Sequence, residues 1–563
     1  MVWPARASAL TALVAAALLL APVSAQAAIG STPTAVTDAD RVAGVDAAGA
    51  PDRLGAPAPV AQVSAGFYWE RGAERARQGD HRGAIDDFTH ALNLLRNVDR
   101  TRADLYVARA WAYANSGDPR AAIADFERAL RFNSELADAY AGRGFARAAL
   151  DDHQSAIADF ARALQINPAN ADAYAGRGHS RAALGDQRGA IEDFTRALAV
   201  NPRLVSAYTG RAWARAKLGD RLGAVEDFSL ALAVDPTSAD AYSGRAGLRA
   251  QLDDARGAIE DYTAVLHWRP NDADAYLGRG YARAALGDDA GALQDFAMAL
   301  QVRPDDAEAY IGLATARAAL GDHAGAVADF SRALQLRPEA ATAYSGRAHA
   351  RAALNDLAGA VEDFTAALAR DPGLASAYTG RGWARVQLGD AQSALADFTT
   401  ALGLDPNQPE AYSGRANARA ALEDPEGAIA DYTSLLALRP DAADAYSGRG
   451  RARAALGDVA GAIDDFTVAL AWRPDDADTY VGRGYARAAL GDQAGAVEDF
   501  SQALALRPDA ADAYSGRAWA RAALGDTPGA IADLQQAAAL YQAQGNLAGY
   551  QQCLEGLEAL QQS

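Results

Sequence analysis

At 563 residues the chain is too long for one conventional core and implies several domains or an array. Its formal charge of −19 excludes nucleic acid as the main partner, because phosphate binding needs a basic surface that releases counterions. A single cysteine, Cys553, rules out an intrachain disulfide and a cysteine-based metal cluster.

Residues 1–27 have the pattern of a signal peptide: Arg6, an apolar run from Ala9 to Ala21, then small residues at Ser24, Ala25, Ala27 and Ala28. The expectation is export to a periplasm or the exterior. The run is too short for an ordinary spanning helix, so no stable membrane insertion of the mature chain is expected. Residues 28–62, rich in Ala, Pro, Gly, Thr, Val and Asp without a period, predict a flexible linker.

From 63 to 546 the sequence repeats. Tyr68 is followed after 38 residues by Tyr106, and from there a tyrosine recurs every 34 residues to Tyr514, giving fourteen units. In the third unit, Tyr140, Gly144, Arg147 and Leu150 share one helical face, and Ala156, Ile157, Phe160, Ala163 and Leu164 share another. Asp152 is placed to cap the second helix, and an aspartate fills that position in all fourteen units. Pro168 ends the second helix, since proline cannot continue it. Beyond the last unit, Leu547, Tyr550, Leu554, Leu557 and Leu560 predict one more amphipathic helix over 547–563, covering the exposed end of the array.

The 34-residue step, with glycine or alanine at Gly144 and the series Ala156, Phe160, Ala163 and Pro168, resembles the tetratricopeptide repeat (TPR). The resemblance implies an all-α TPR-type α-solenoid, a right-handed superhelix of fourteen helix-turn-helix repeats whose first helices line a concave groove.

Three columns depart from that pattern. Arg143 stands where the family has an apolar residue and Arg147 where it often has an aromatic, and each column is arginine in thirteen of the fourteen units. Asp159 is aspartate throughout. An unpaired charge on a packed face is costly, so Asp159 is expected to accept hydrogen bonds from Arg143 or Arg147, repeated as an internal ladder. The two arginine columns take 26 of the 53 basic residues. In the eighth unit Leu313 replaces the first arginine, so Asp329 should turn to Arg317 or to a neighbouring unit. An arginine-lined anion site is the functional alternative.

One column varies freely while its neighbours barely do. At the place of Phe145 stand Trp111, His179, Trp213, Tyr281, His349, Trp383, Tyr485 and Trp519 in eight other units, and Ala73, Gly247, Thr315, Asn417 and Arg451 in the rest. The family resemblance puts this column in the groove, where aromatics at intervals suit peptide side chains or sugar faces. The alternative, that the rings fill gaps between adjacent first helices, stays open.

The seven histidines are scattered among the units without an HExxH-type pair, and the aspartate-rich connections lack the ligand alternation of a calcium loop. No metal, cofactor or nucleophile–base pattern stands out, so the chain is not expected to be an enzyme. The reading is an exported scaffold for protein or peptide partners. A polysaccharide-binding or polymer-secretion protein and a structural spacer are the alternatives.

Overall fold

The computed structural model describes residues 64–95 and 100–562. The signal peptide and linker expected over 1–27 and 28–62 lie outside the described residues. Among the described residues there are 29 α-helices and no strand: fourteen helical hairpins and a last helix, Leu547–Gln562. The chain divides after Pro304 into two bodies. Units one to seven lie in the first, and units eight to fourteen with the last helix lie in the second.

The third unit shows how each hairpin is made. Its first helix, Ala137–Ala148, turns into the second, His153–Ile166, through a chain reversal at Asp151, whose φ is 60°. Ten of the fourteen turns place glycine at this left-handed position, where an L side chain is strained; Asp151, Asp253, Asn355 and Glu423 occupy it in the other four. The Asp152 amide donates to the Arg147 carbonyl at 3.0 Å, and the Asp152 carboxylate accepts from the Ser155 amide at 3.2 Å. One residue thus closes the first helix and caps the second. The second helix ends at Asn167, immediately before Pro168.

Packing follows the small residues. Phe160 is fully buried between two first helices. A Cβ on Gly144, in its own unit, would stand 2.9 Å from the ring, and one on Gly176, in the next unit, would stand 2.5 Å from it. Sister units accept alanine at the Gly144 position, as at Ala110 and Ala416, but the Gly176 position is glycine in every unit from the third to the fourteenth. Within each body, the close approach of a first helix to the preceding phenylalanine or tyrosine is what holds that position to glycine.

The last helix covers the end of the array. Cys553 is buried with Leu534, Ala537 and Ala538, and burial pushes its thiol pKa up, as befits an unreactive core residue. Trp519 lies against Gly556.

Candidate interaction face

Two kinds of side chain leave each first helix near the following second helix. Those three and seven residues after the tyrosine turn inward. Arg143 meets Asp159 as a fork, Nε to Oδ2 at 3.0 Å and Nη2 to Oδ1 at 2.7 Å, and Arg147 Nη1 adds a third bond to Oδ2 at 2.8 Å. Asp159 is buried, and the Arg143 guanidinium lies 5.5 Å from the Tyr140 ring centre. The same fork recurs wherever the arginine is present, as in Arg211–Asp227 and Arg449–Asp465. Several forks reach back one unit as well: Arg211 donates to Thr195 at 3.2 Å, Arg245 to Ser229 at 3.0 Å and Arg347 to Ser331 at 3.0 Å. The seam therefore joins neighbouring hairpins, and its arginines are already committed to protein acceptors.

The eighth unit departs from this. Leu313 is buried, and Asp329 keeps Arg317 alone, at 2.7 Å. Burial pushes the Asp329 carboxyl above its ordinary value, with Asp322 adding to the shift and Arg317 opposing it. The first unit is the opposite case: hydrogen bonding from Arg71 holds Asp87 below the ordinary carboxylate value.

In eight units the residue five after the tyrosine is a ring that lies against the second-helix phenylalanine of its own unit. Trp111, Phe145, Trp213, Tyr281, Trp383 and Tyr485 pack edge-on to Phe126, Phe160, Phe228, Phe296, Phe398 and Phe500, with ring centres 4.9 to 5.7 Å apart. His179 and His349 pack the same way, each at 4.8 Å. Burial pushes the His179 pKa down to about 4, so its ring is neutral near pH 7; His349 is lowered for the same main reason. The rings differ in exposure. Trp213, Tyr485 and Trp519 remain 44%, 45% and 48% exposed, Trp111, Phe145 and Trp383 are half-buried, and Tyr281 is buried. Apart from buried Tyr281, packing and exposure coexist in this column: one part of a ring seats on phenylalanine while another faces water.

The eleventh unit breaks the ring pattern. Tyr432 replaces the phenylalanine, and its hydroxyl donates to Asn417 Oδ1 at 2.6 Å. Burial pushes the Tyr432 hydroxyl pKa up, and the nearby Arg451 pulls it partway back. Asn417, Tyr432, Gly448 and Arg451 line a cleft of about 570 Å³ between the first helices of units eleven and twelve, Pro409–Ala421 and Ala443–Ala455. Sequence reasoning passed over this cleft. Its signal was present: tyrosine stands in the phenylalanine column only at Tyr262 and Tyr432, and both units carry a non-aromatic residue in the variable column, Gly247 and Asn417.

A family model described as "Tetratricopeptide repeat" matches residues 107–171, 176–241, 244–307, 290–341, 311–375, 345–409, 379–436 and 413–478. A second, described as "TPR repeat", matches 484–525. No curated protein matches. Among solved structures, the APC/C hetero-tetramer Cut9–Hcn1 is similar at 16% identity over 81% of this chain and 96% of that chain, with a TM-score of 0.39. Yeast Tom70 is similar at 19% identity over 76% of this chain and 96% of that one, with a TM-score of 0.30. YrrB, described as a TPR protein with an unusual peptide-binding site, is 24% identical over 32% of this chain and 93% of its own, with a TM-score of 0.30.

Proposed function

The chain belongs to the tetratricopeptide repeat family, and on that premise we propose that it is a non-enzymatic scaffold that holds protein or peptide partners along its first-helix face. The observation that carries this reading is the contrast between columns. The seam and the glycine positions repeat almost unchanged, whereas the residue five after each tyrosine varies, and Trp213 and Tyr485 in that column are 44% and 45% exposed. Anchors already seated on buried phenylalanine lose little freedom when a ligand arrives, so weak contacts can sum along the array. Crosslinking in the native cell followed by identification of the captured protein supplies the ligand. Replacing Trp213 and Tyr485 together by alanine is expected to weaken that complex at least tenfold while leaving helicity unchanged. Undiminished binding by the double variant would show that this face is not the one used.

The scaffold is also proposed to act outside the cytoplasm, on the strength of Arg6 and the apolar run Ala9–Ala21. N-terminal sequencing of the native protein tests this: a start near Ile29 supports export, and a retained Met1 or Val2 refutes cleavage.

A further inference from the structure

We propose that the cleft between units eleven and twelve is a pocket for one aromatic side chain of a bound peptide. This assignment rests on the peptide-scaffold reading and adds a site and a side-chain class to it. The reasoning starts from how the chain treats the same gap elsewhere. Between units three and four Phe145 occupies it, so close to the next first helix that a Cβ on Gly176 would stand 2.8 Å from its ring. Between units four and five His179 does the same against Gly210, at 2.9 Å. The space between adjacent first helices is thus shaped for a planar ring, and the chain supplies that ring itself. Unit eleven does not. Asn417 takes the ring's place, and the nearest atoms that a Cβ on Gly448 would meet all belong to Tyr432.

Unit six is the informative parallel, because it also has a tyrosine in the phenylalanine column and no ring in the variable one, at Tyr262 and Gly247. There the following member of the column, Tyr281, is only 7% exposed, whereas Tyr485, which follows Arg451, is 45% exposed. Where the ring is missing in unit six, the next unit thus supplies a buried tyrosine. After Asn417 the next member is Arg451, which is exposed and which no hydrogen bond or ion pair engages among the described residues. The gap therefore stays open to an incoming group.

The lining selects for an aromatic group. Ala420, Pro425, Gly448, Ala452 and Ala455 give the cleft its apolar lining beside Tyr432, and Glu423 and Arg451 are its charged lining residues. An incoming ring packed against Tyr432 would repeat the ring pairing seen where the column carries an aromatic residue. The Arg451 side chain, also in the lining, favours a π face over an aliphatic chain. Since the Tyr432 hydroxyl donates to Asn417 Oδ1, the Asn417 amide nitrogen is left as a donor for a phenol oxygen or a peptide carbonyl.

The test uses the full chain and two readouts. In saturation-transfer NMR, N-acetyl-tyrosinamide should receive magnetisation from the protein well above N-acetyl-leucinamide. Arg451→Tyr, which recreates the Tyr281 arrangement, should remove most of that difference. Asn417→Phe combined with Tyr432→Phe, which recreates the arrangement of unit three, should do the same, and amide exchange checks that both variants stay folded. In parallel, a displayed library of random peptides selected on the unaltered chain should enrich an aromatic residue at one position, and selection on Arg451→Tyr should lose that preference. Equal transfer to the leucine probe, absent transfer to the tyrosine probe, or transfer undiminished in both variants overturns the pocket. A library that enriches nothing counts against the scaffold reading instead, while the small probes still judge the pocket.

Discussion

Asp227 is shielded from water and takes two hydrogen bonds from Arg211, at 2.9 and 2.6 Å, with Arg215 a further 2.9 Å away. A fork of this kind adds little over apolar packing while it is whole, but it is costly to break, because the charges left behind stay buried. Asp227→Asn is therefore expected to destabilise its unit by about 3–5 kcal/mol, read as lost amide protection across Val205–Val234; protection unchanged within about 1 kcal/mol would contradict the seam. A second prediction concerns His179. Its folded pKa of about 4 lies below the ordinary 6.5, so the folded state disfavours the protonated ring. The stability it contributes is complete above pH 6.5 and falls as pH drops from 6.5 toward 4. His179→Phe, the residue of the preceding unit, should remove that component of the acid sensitivity of unit four, as followed by amide exchange between pH 4 and 7. Asp329 has the opposite sign. Its folded value is raised above 3.8, so its contribution is complete below pH 3.8 and lost as pH climbs through the folded value.

At the scale of the helix, the two glycine columns face different constraints, in keeping with the alanines that only one of them admits from the third unit on. A Cβ on Gly414 would overlap the Phe398 ring of the preceding unit, and that ring is fully buried with no room to withdraw. A Cβ on Gly450 would stand 2.9 Å from the Phe466 ring of its own unit, a position where sister units carry Ala416 and Ala518. Both substitutions gain about 1 kcal/mol of helix propensity. Gly414→Ala is expected to lose roughly 1–3 kcal/mol to overpacking, whereas Gly450→Ala should be neutral or stabilising. Thermal unfolding of the two variants side by side checks this, and an equal response would mean that interhelix distance does not explain the difference.

Across the whole molecule, each hairpin completes its core only against its neighbours, so an uncovered end is a liability. Ending the chain at Asn546 would expose Leu534, Ala537 and Ala538, which are buried beneath the last helix together with Cys553. The expected result is loss of amide protection in Ala511–Ala543 and self-association by light scattering, with units in the first body unaffected. A truncated chain that stays monomeric and fully protected would refute the capping role of Leu547–Gln562.

The sequence by itself determined the hairpins and their ends. A helix face recurs every three or four residues, a cap acts within three, and proline stops its own helix, so Asp152, Phe160 and Pro168 were readable from one 34-residue window. It also paired Asp159 with an arginine, since a buried charge needs a partner. Only the tertiary structure decided that both Arg143 and Arg147 serve the same carboxylate, that forks reach back to the preceding unit, and that Tyr281 is buried while Trp213 is not. The cleft at Asn417, Tyr432 and Arg451 belongs to the same class. The reason is distance along the chain: these features depend on how far apart two helices stand, and that spacing is set by rings and glycines 15 to 34 residues away in sequence.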